Sequence, residues 1–416
     1  MALTLQRYFA LSNDECIDCG FCRDYIDCSL NTDGCIGCGA CVVACPQSAR
    51  TLRARGSEAA ADEKKVNRRN GGLIDCMIDG VAHQVRGPLS VSAALAQLGI
   101  RPETNASTPK NHSATCQTGG CWDCAVLIDG ELARSCITPL RSGMQIVSDP
   151  RAVDQAVPKR VVTMMRPAPH RHPSIFTHGC NYRCDLCHNW DLTFSSTANA
   201  LTPQQAVAQL ALRPETDKWI GISGGEPTLN RKWLVETVRE IRLAAPQSRI
   251  QLDTNASRLT PDFFDELVEA GMTDFSPDFK ASRLETFSRI SGIIDTDEAR
   301  RYMQTVWTAI CHAHLHHADS VFMVVNIPCH PLIHTKGELQ EMAAALAGLG
   351  PEIPVSLTEL QPAFRSRHYP RLNRQTMETA AGFLEEKGLK RIIIQGGEGI
   401  PRAVDPNELM QSVEDF

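Results

Sequence analysis

The stretch GCNYRCDLCHNW at residues 179–190 places Cys180, Cys184 and Cys187 in a C-x3-C-x2-C spacing within one short loop. Thiolates this close together suit iron, and a cubane of four irons normally takes one cysteine on each. The loop supplies three. The fourth iron is then either ligated by a cysteine elsewhere or left open to bind and activate a second molecule.

The 416-residue chain is 43% hydrophobic and 22% charged, enough for two to four cores on the usual ~100–200 residues per domain. A formal net charge of -6 offers no basic face for phosphates, so no nucleic-acid partner is expected. No apolar run reaches ~18 residues, and the start MALTLQRYFALSNDEC lacks an apolar core and a small-residue cleavage site. The expectation is a soluble cytoplasmic protein with no membrane contact. In such a chain, 18 cysteines point to metal ligation rather than disulfides.

Residues 16–28 (CIDCGFCRDYIDC) and 35–46 (CIGCGACVVACP) repeat C-x2-C-x2-C followed by a more distant cysteine. Zinc also binds C-x2-C pairs, but eight cysteines in two triplets plus remote singles fit two cubanes better. The repeat resembles bacterial two-cluster ferredoxins, with a departure around Cys28, which follows five residues and precedes serine. That resemblance implies crossed ligand sets: Cys16, Cys19, Cys22 and Cys45 on one 4Fe-4S cluster, Cys35, Cys38, Cys41 and Cys28 on the other. This ferredoxin-like domain is expected over 1–50.

Residues 51–72 are charged and small, as in a linker. LIDCMIDG and VAHQVRG then read as two strands around an Asp-Gly turn, and PLSVSAALAQLGI as a helix. Cys116, Cys121, Cys124 and Cys136 follow in a C-x4-C-x2-C-x11-C spacing. Residues 73–147 resemble the β-grasp 2Fe-2S domain of succinate dehydrogenase iron-sulfur subunits. Gly119 and Gly120 are expected to let the backbone approach the cluster sulfides. Cys76 reads as a small buried residue of a strand.

Residues 148–173, rich in Pro, Arg and His, read as a second linker. Over 174–416, strands are expected at 174–178, 219–223, 249–254, 273–280, 320–327 and 355–361, with amphipathic helices between them. Six strands alternating with helices make a parallel α/β fold, an open sheet or a partial barrel, whose chemistry collects at the strands' carboxyl ends. Cys180, Cys184 and Cys187 follow the first strand; Ser223, Gly224, Gly225, Glu226 and Pro227 the second. Asp253 and Asn255 end the third, Asp278 and Lys280 the fourth.

The cysteine loop together with SGGEP resembles the radical S-adenosylmethionine superfamily over about 174–365. The whole is then a multidomain α/β protein, a partial (β/α)6 radical SAM barrel preceded by a 2x4Fe-4S ferredoxin-like domain and a β-grasp 2Fe-2S domain. The resemblance implies a third 4Fe-4S cluster on Cys180, Cys184 and Cys187, its open iron chelated by S-adenosylmethionine. It places the methionine amino group on Ser223, Gly224, Gly225 and Glu226, and the adenine against Leu186. LDTNAS and DFKA resemble the branch of pyruvate formate-lyase activating enzymes and anaerobic ribonucleotide reductase activators, implying a cation near Asp253 and Asp278, and the methionine carboxylate at Lys280.

These features imply an oxidoreductase that cleaves S-adenosylmethionine reductively to a 5'-deoxyadenosyl radical and abstracts hydrogen from an unidentified small-molecule or protein substrate. Its electrons would come from a donor of ferredoxin or flavodoxin type. Activation of a glycyl radical partner, or electron carriage without catalysis, are the alternatives. The cluster sets use fifteen of the 18 cysteines and leave Cys76, Cys311 and Cys329. Cys311 reads as packing. Cys329, beside His330 at a strand end, reads as packing first and as a catalytic residue second. His312, His314, His316 and His317 read as a solvated helix face, and the second GGE, 396–398, as a turn.

Overall fold

The computed structural model describes residues 8–26, 35–54, 72–100, 115–165 and 172–396. Cys28, Gly397 and Glu398 lie outside them. Near the amino end, β1 (Tyr8–Ser12) pairs antiparallel with β2 (Arg50–Ala54). The short helices Phe21–Asp24 and Ala40–Ala44 each start from a left-handed glycine, Gly20 (φ 76°) and Gly39 (φ 80°), so the backbone turns sharply inside each cysteine triplet.

Five strands make the next sheet: β3 (Leu73–Ile78), β4 (Val81–Arg86), β5 (Ala125–Ile128), β6 (Glu131–Arg134) and β7 (Gln145–Val147), in the order β4-β3-β7-β5-β6. The β3–β4 turn is Asp79-Gly80, both at positive φ (48° and 79°), the twist a tight hairpin needs. Helix Val91–Gln97, capped by the Ser90 side chain, buries Val91, Ala94 and Leu95 against Cys76, Ile78 and Val85. Cys76 is a packing residue.

The largest sheet has the order β10-β8-β9-β11-β12-β13-β14. It is built from β8 (Arg160–Met165), β9 (Ser174–Thr177), β10 (Ala200–Leu201), β11 (Trp219–Gly224), β12 (Arg249–Thr254), β13 (Asp274–Pro277) and β14 (Phe322–Met323). A three-stranded parallel sheet, β15 (Val325–Cys329), β16 (Val355–Glu359) and β17 (Ile392–Gln395), continues from it through a bridge between Asp278 and Asn326. From β9 to β14 all pairings are parallel. Each of the six expected strands has a counterpart, the fifth divided into β14 and β15, and β17 follows them.

The stretch 148–173 is not simply a linker. It holds helix Pro150–Asp154 and β8, which pairs antiparallel with β9. The Pro, Arg and His content of its flanks hides the β-branched core of RVVTMM, whose first three residues are buried. In the main core, helix Arg231–Ala244 presents Trp233, Leu234, Val238 and Ile241 to the sheet, the spacing of one helical face. Trp233 is fully buried and its indole N–H donates to the Leu201 carbonyl at 2.9 Å, so its burial leaves no polar group unpaired. Among the described residues, no helix is long and apolar enough to cross a membrane.

Candidate cofactor and iron-sulfur sites

At the carboxyl ends of the parallel strands lies a cavity of about 420 Å³. Its wall includes Cys180, Cys184, Leu186 and Cys187 of the first loop, Ser223, Gly224 and Gly225 of the second, and Asp253, Asn255, Asp278 and Lys280. Residues spread over a hundred positions of sequence thus face one volume. Leu186 packs with Ile290, Ile333 and Leu360, giving the cavity an apolar margin.

The second loop sits hard against the first. A Cβ on Gly224 (φ 108°) would lie 2.5 Å from the Thr177 nitrogen, and one on Gly225 would strike the Gly179 carbonyl. Glycine is required here by close backbone approach. Glu226 does not line the cavity. It is fully buried, and its carboxylate accepts from Thr228 N (2.8 Å), Thr228 Oγ1 (2.5 Å), Thr254 Oγ1 (2.5 Å) and Asn255 N (2.7 Å). Burial pushes its carboxyl up, against the pull of these bonds. The geometry makes Glu226 a brace between the second loop and the end of β12. Arg160, also fully buried, donates to the carbonyls of Glu226, Pro227, Leu229 and His178, fastening β8 to the same loop.

On the opposite wall, Lys280 Nζ lies 2.8 Å from Asp278 Oδ2, while Asn326 Nδ2 donates to Asp278 Oδ1 at 2.6 Å. Burial alone would lower the Lys280 pKa, but Asp278 and Cys184 outweigh it and hold the ammonium charged. Asp253 is pushed up to about 6, chiefly by burial. His188, Asn189, Ser276, Asn326, Ser356 and Thr358 also line the cavity. They carry no motif spacing; only the inward alternation of side chains on β13, β15 and β16 could have indicated four of them, Ser276, Asn326, Ser356 and Thr358.

The donor set fits an iron-sulfur centre. Burial pushes the Cys180 thiol well up and the Cys187 thiol up to about 12, and it raises Cys184 against the opposing charge of Lys280. Three thiolates gathered here therefore need a cationic centre to stabilise them, which iron supplies. Cys116, Cys121, Cys124 and Cys136 also converge: hydrogen bonding with Cys116 plus burial pushes Cys121 well up, and hydrogen bonding with Cys124 plus burial does so for Cys136. Gln117 (φ 59°), Gly119 (φ 86°) and Trp122 (φ 60°) take left-handed backbone to turn their loop. Near the amino end, Cys16, Cys19, Cys22 and Cys45 line one small cavity, the crossed set. Cys35 and Cys41 are buried and Cys38 partly so, while Cys28 lies outside the described residues.

Gly120 has a different neighbour from the one expected. A Cβ there would lie 2.7 Å from the Gly179 nitrogen and the His178 carbonyl carbon, so the residue permits contact between two loops. Cys329 is 1% exposed within the main hydrophobic core, burial pushes its thiol up to about 12, and it is not among the residues lining the cavity. Alternation on β15 explains this, since Pro328 faces the cavity instead. The histidine helix is not uniformly solvated. His312 and His317 are largely buried and hydrogen-bonded to Asp265 Oδ1 at 2.6 and 2.7 Å, a carboxylate supplied by the neighbouring helix Pro261–Ala270.

Family comparisons agree with three kinds of module. Residues 174–306 match the Radical SAM superfamily, residues 72–151 a 2Fe-2S iron-sulfur cluster binding domain, and residues 29–51 a 4Fe-4S binding domain. A probable GTP 3',8-cyclase of Thermococcus kodakarensis is 31% identical over 119 residues, 28% of this chain and 37% of that protein. Another, of Metallosphaera sedula, is 31% identical over 123 residues, 29% and 37% of the two chains. The match thus spans little more than a third of the length of these relatives. Among solved structures, a domain of pyruvate-formate lyase-activating enzyme from Bacteroides vulgatus aligns with 42% of this chain and 98% of its own, at TM-score 0.34 and 17% identity. TYW1 with a lysine-pyruvate adduct bound aligns with 55% and 77%, at TM-score 0.42 and 12% identity.

Proposed function

We propose that this chain, which matches the Radical SAM superfamily over residues 174–306 and carries 2Fe-2S and 4Fe-4S binding domains, is a radical oxidoreductase that draws its electrons through its own cluster domains. The observation that carries this reading is the convergence of Cys180, Cys184 and Cys187 on one cavity with Leu186, Gly224, Asp253 and Lys280. Those three cysteines would hold the catalytic 4Fe-4S cluster. When bound, that cluster supplies the low-potential electron for reductive cleavage of S-adenosylmethionine to a 5'-deoxyadenosyl radical.

The chain's own residues bind and orient. Gly224 and Gly225 let the second loop lie against the first, which brings its backbone to the cavity wall beside the three cysteines. Lys280, kept charged by Asp278, offers a cation to the methionine carboxylate, and Leu186 an apolar face to adenine. Beyond them, Ser276, Asn326, Ser356 and Thr358 give the wall hydrogen-bonding groups, which suits a small polar substrate. A partial barrel enclosing this wall would keep water from the reacting atoms. Cys16 and Cys19 are exposed, so their loop is the port at which a ferredoxin or flavodoxin would deliver electrons.

Anaerobic incubation of the reduced, fully iron-loaded protein with S-adenosylmethionine tests the reading. 5'-Deoxyadenosine should form in wild type and be absent in Cys184→Ala. No product from wild type with all clusters reducible would overturn the assignment.

A further inference from the structure

The loop of Cys116 and Cys121 is wedged into the mouth of the parallel-strand domain. Its Gly120 carbonyl accepts from Val161 N of β8 at 3.1 Å, and its Cys121 carbonyl from Asn230 Nδ2, beyond the second loop, at 3.3 Å. Cys116 and Cys121 pack with Leu229 in one apolar cluster. The closest approach is to the loop of the three cysteines. A Cβ on Gly179 would lie 2.7 Å from Cys121 N and 3.0 Å from the Cβ atoms of both Cys116 and Cys121. Gly179 immediately precedes Cys180, and its φ of 81° suits glycine. Two backbones meet here with no side chain between them.

One cation spans the junction. Arg183 Nη1 donates to the carbonyl of Cys180 at 2.7 Å and to that of Tyr182 at 2.8 Å, while Nη2 donates to the carbonyl of Cys116 at 3.1 Å and to Gln117 Oε1 at 3.2 Å. A planar guanidinium can serve both loops at once because its donors point in fixed, divergent directions; an ammonium has no such fork. Arg183 lies between Cys180 and Cys184 of the open-iron loop, so it belongs to one site and grips the other.

We propose that the four-cysteine centre is the immediate redox neighbour of the three-cysteine centre, and that Arg183 is the positioning residue that holds the two together. The exchange is of one electron: one centre is oxidised as the other is reduced, and no bond or proton moves. This rests on the cluster assignments above. It adds an order to the relay, with the four-cysteine centre last before the cavity, and it gives a residue between cluster ligands a role besides loop geometry.

Electron paramagnetic resonance of the loaded, reduced, full-length protein tests the inference without relying on turnover. Iron and sulfide contents and the 2Fe-2S absorbance are measured first; their failure would overturn the cluster assignments themselves. With all centres present, the four-cysteine signal of wild type should relax fast and be broadened by its paramagnetic neighbour. In Cys184→Ala, which loses that neighbour, the microwave power at half-saturation should fall several-fold. Arg183→Gln should also lower it and shift the midpoint potentials of both centres, whereas Arg183→Lys should recover the charge effect on potential but not the full broadening. Equal relaxation in wild type and Cys184→Ala, with the 2Fe-2S absorbance intact in both, would overturn the proposal. So would an Arg183→Gln protein that folds and loads fully yet keeps wild-type relaxation and potentials.

Discussion

The two accessory cysteine regions differ in how they meet the parallel-strand domain. The loop of Cys116–Cys121 touches it backbone to backbone, through Gly120 and Gly179. The amino-terminal region meets it mainly through side chains, beside one backbone bond from Ser196 N to the Tyr25 carbonyl at 2.9 Å. Arg365 donates to the carbonyls of Val42, Val43 and Cys45 at 3.0, 2.9 and 3.1 Å, and the Phe21 ring lies tilted against Trp190, which stacks on Phe364. Arg365 also stays in contact with the three-cysteine loop, since its backbone N–H donates to the Asp185 carbonyl at 3.1 Å. Exposure follows the same division: Cys116 and Cys121 are buried, Cys16 and Cys19 exposed. The contrast teaches that one region is built into the mouth of the parallel-strand domain, while the other leaves two of its cysteines at the surface.

The largest expected effect separates the two regions outright. Cys121→Ser should abolish the 2Fe-2S absorbance and most turnover with a protein donor, because a buried ligand of the inner centre is lost. Cys16→Ser should remove only an amino-terminal centre and leave dithionite-driven cleavage of S-adenosylmethionine near wild type. Parallel assays with the two reductants and absorbance spectra check both outcomes, and loss of the 2Fe-2S absorbance in Cys16→Ser, or its survival in Cys121→Ser, would break the comparison.

Next in size is Phe364→Ala. Phe364 is 1% exposed and packs with Phe21, Ala40 and Ala44 of the amino-terminal region and with Cys136 and Ile137 of the four-cysteine region. Its truncation should cost about 3–5 kcal/mol, as for other large-to-small core changes. Denaturant melts should show the loss, and hydrogen exchange should show it most strongly over residues 35–54.

Gly120→Ala should cost less, about 1–3 kcal/mol, the range for forcing one extra group into a packed contact. A lowered melting temperature together with a disturbed 2Fe-2S spectrum would place the damage at the loop junction. The mirror change at Gly39, where a Cβ would first meet the Leu52 side chain at 3.3 Å, should leave that spectrum untouched.

The smallest effect concerns pH and the cavity itself. Asp253 is held up at about 6 in the folded chain, against about 3.9 for an ordinary aspartate. Between these values the folded state keeps a proton that the unfolded state has released. Its contribution to stability is therefore greatest at the acid side and falls as pH rises through about 6. Across that window the difference in melting temperature between wild type and Asp253→Asn should move against wild type as pH rises.

Much of the fold was legible in advance. The apolar alternation of strands such as Arg249–Thr254, and the helical spacing of Trp233, Leu234, Val238 and Ile241, are local signals that packing reinforced. β8 was hidden because its six residues sit between polar, proline-rich flanks that dominate any window of composition. Asp265 was hidden from the histidine helix because the partner lies 47 and 52 residues away, on a helix of its own. Glu226 was legible as part of a motif, but its orientation was not: four donors from the second loop and the end of β12 hold the carboxylate away from the cavity.

The sequence alone determined which cysteines lie close to one another, since spacings such as C-x3-C-x2-C act within one loop, where a few covalent bonds limit how far thiols can separate. It also determined which strands would carry those loops. What only the tertiary structure decided is which cysteine loop stands next to which. Arg183 and Cys116 are 67 residues apart, and Arg365 and Cys45 are 320 apart. Such contacts have no period or local geometry to reveal them, because they arise when separately folded segments pack against each other.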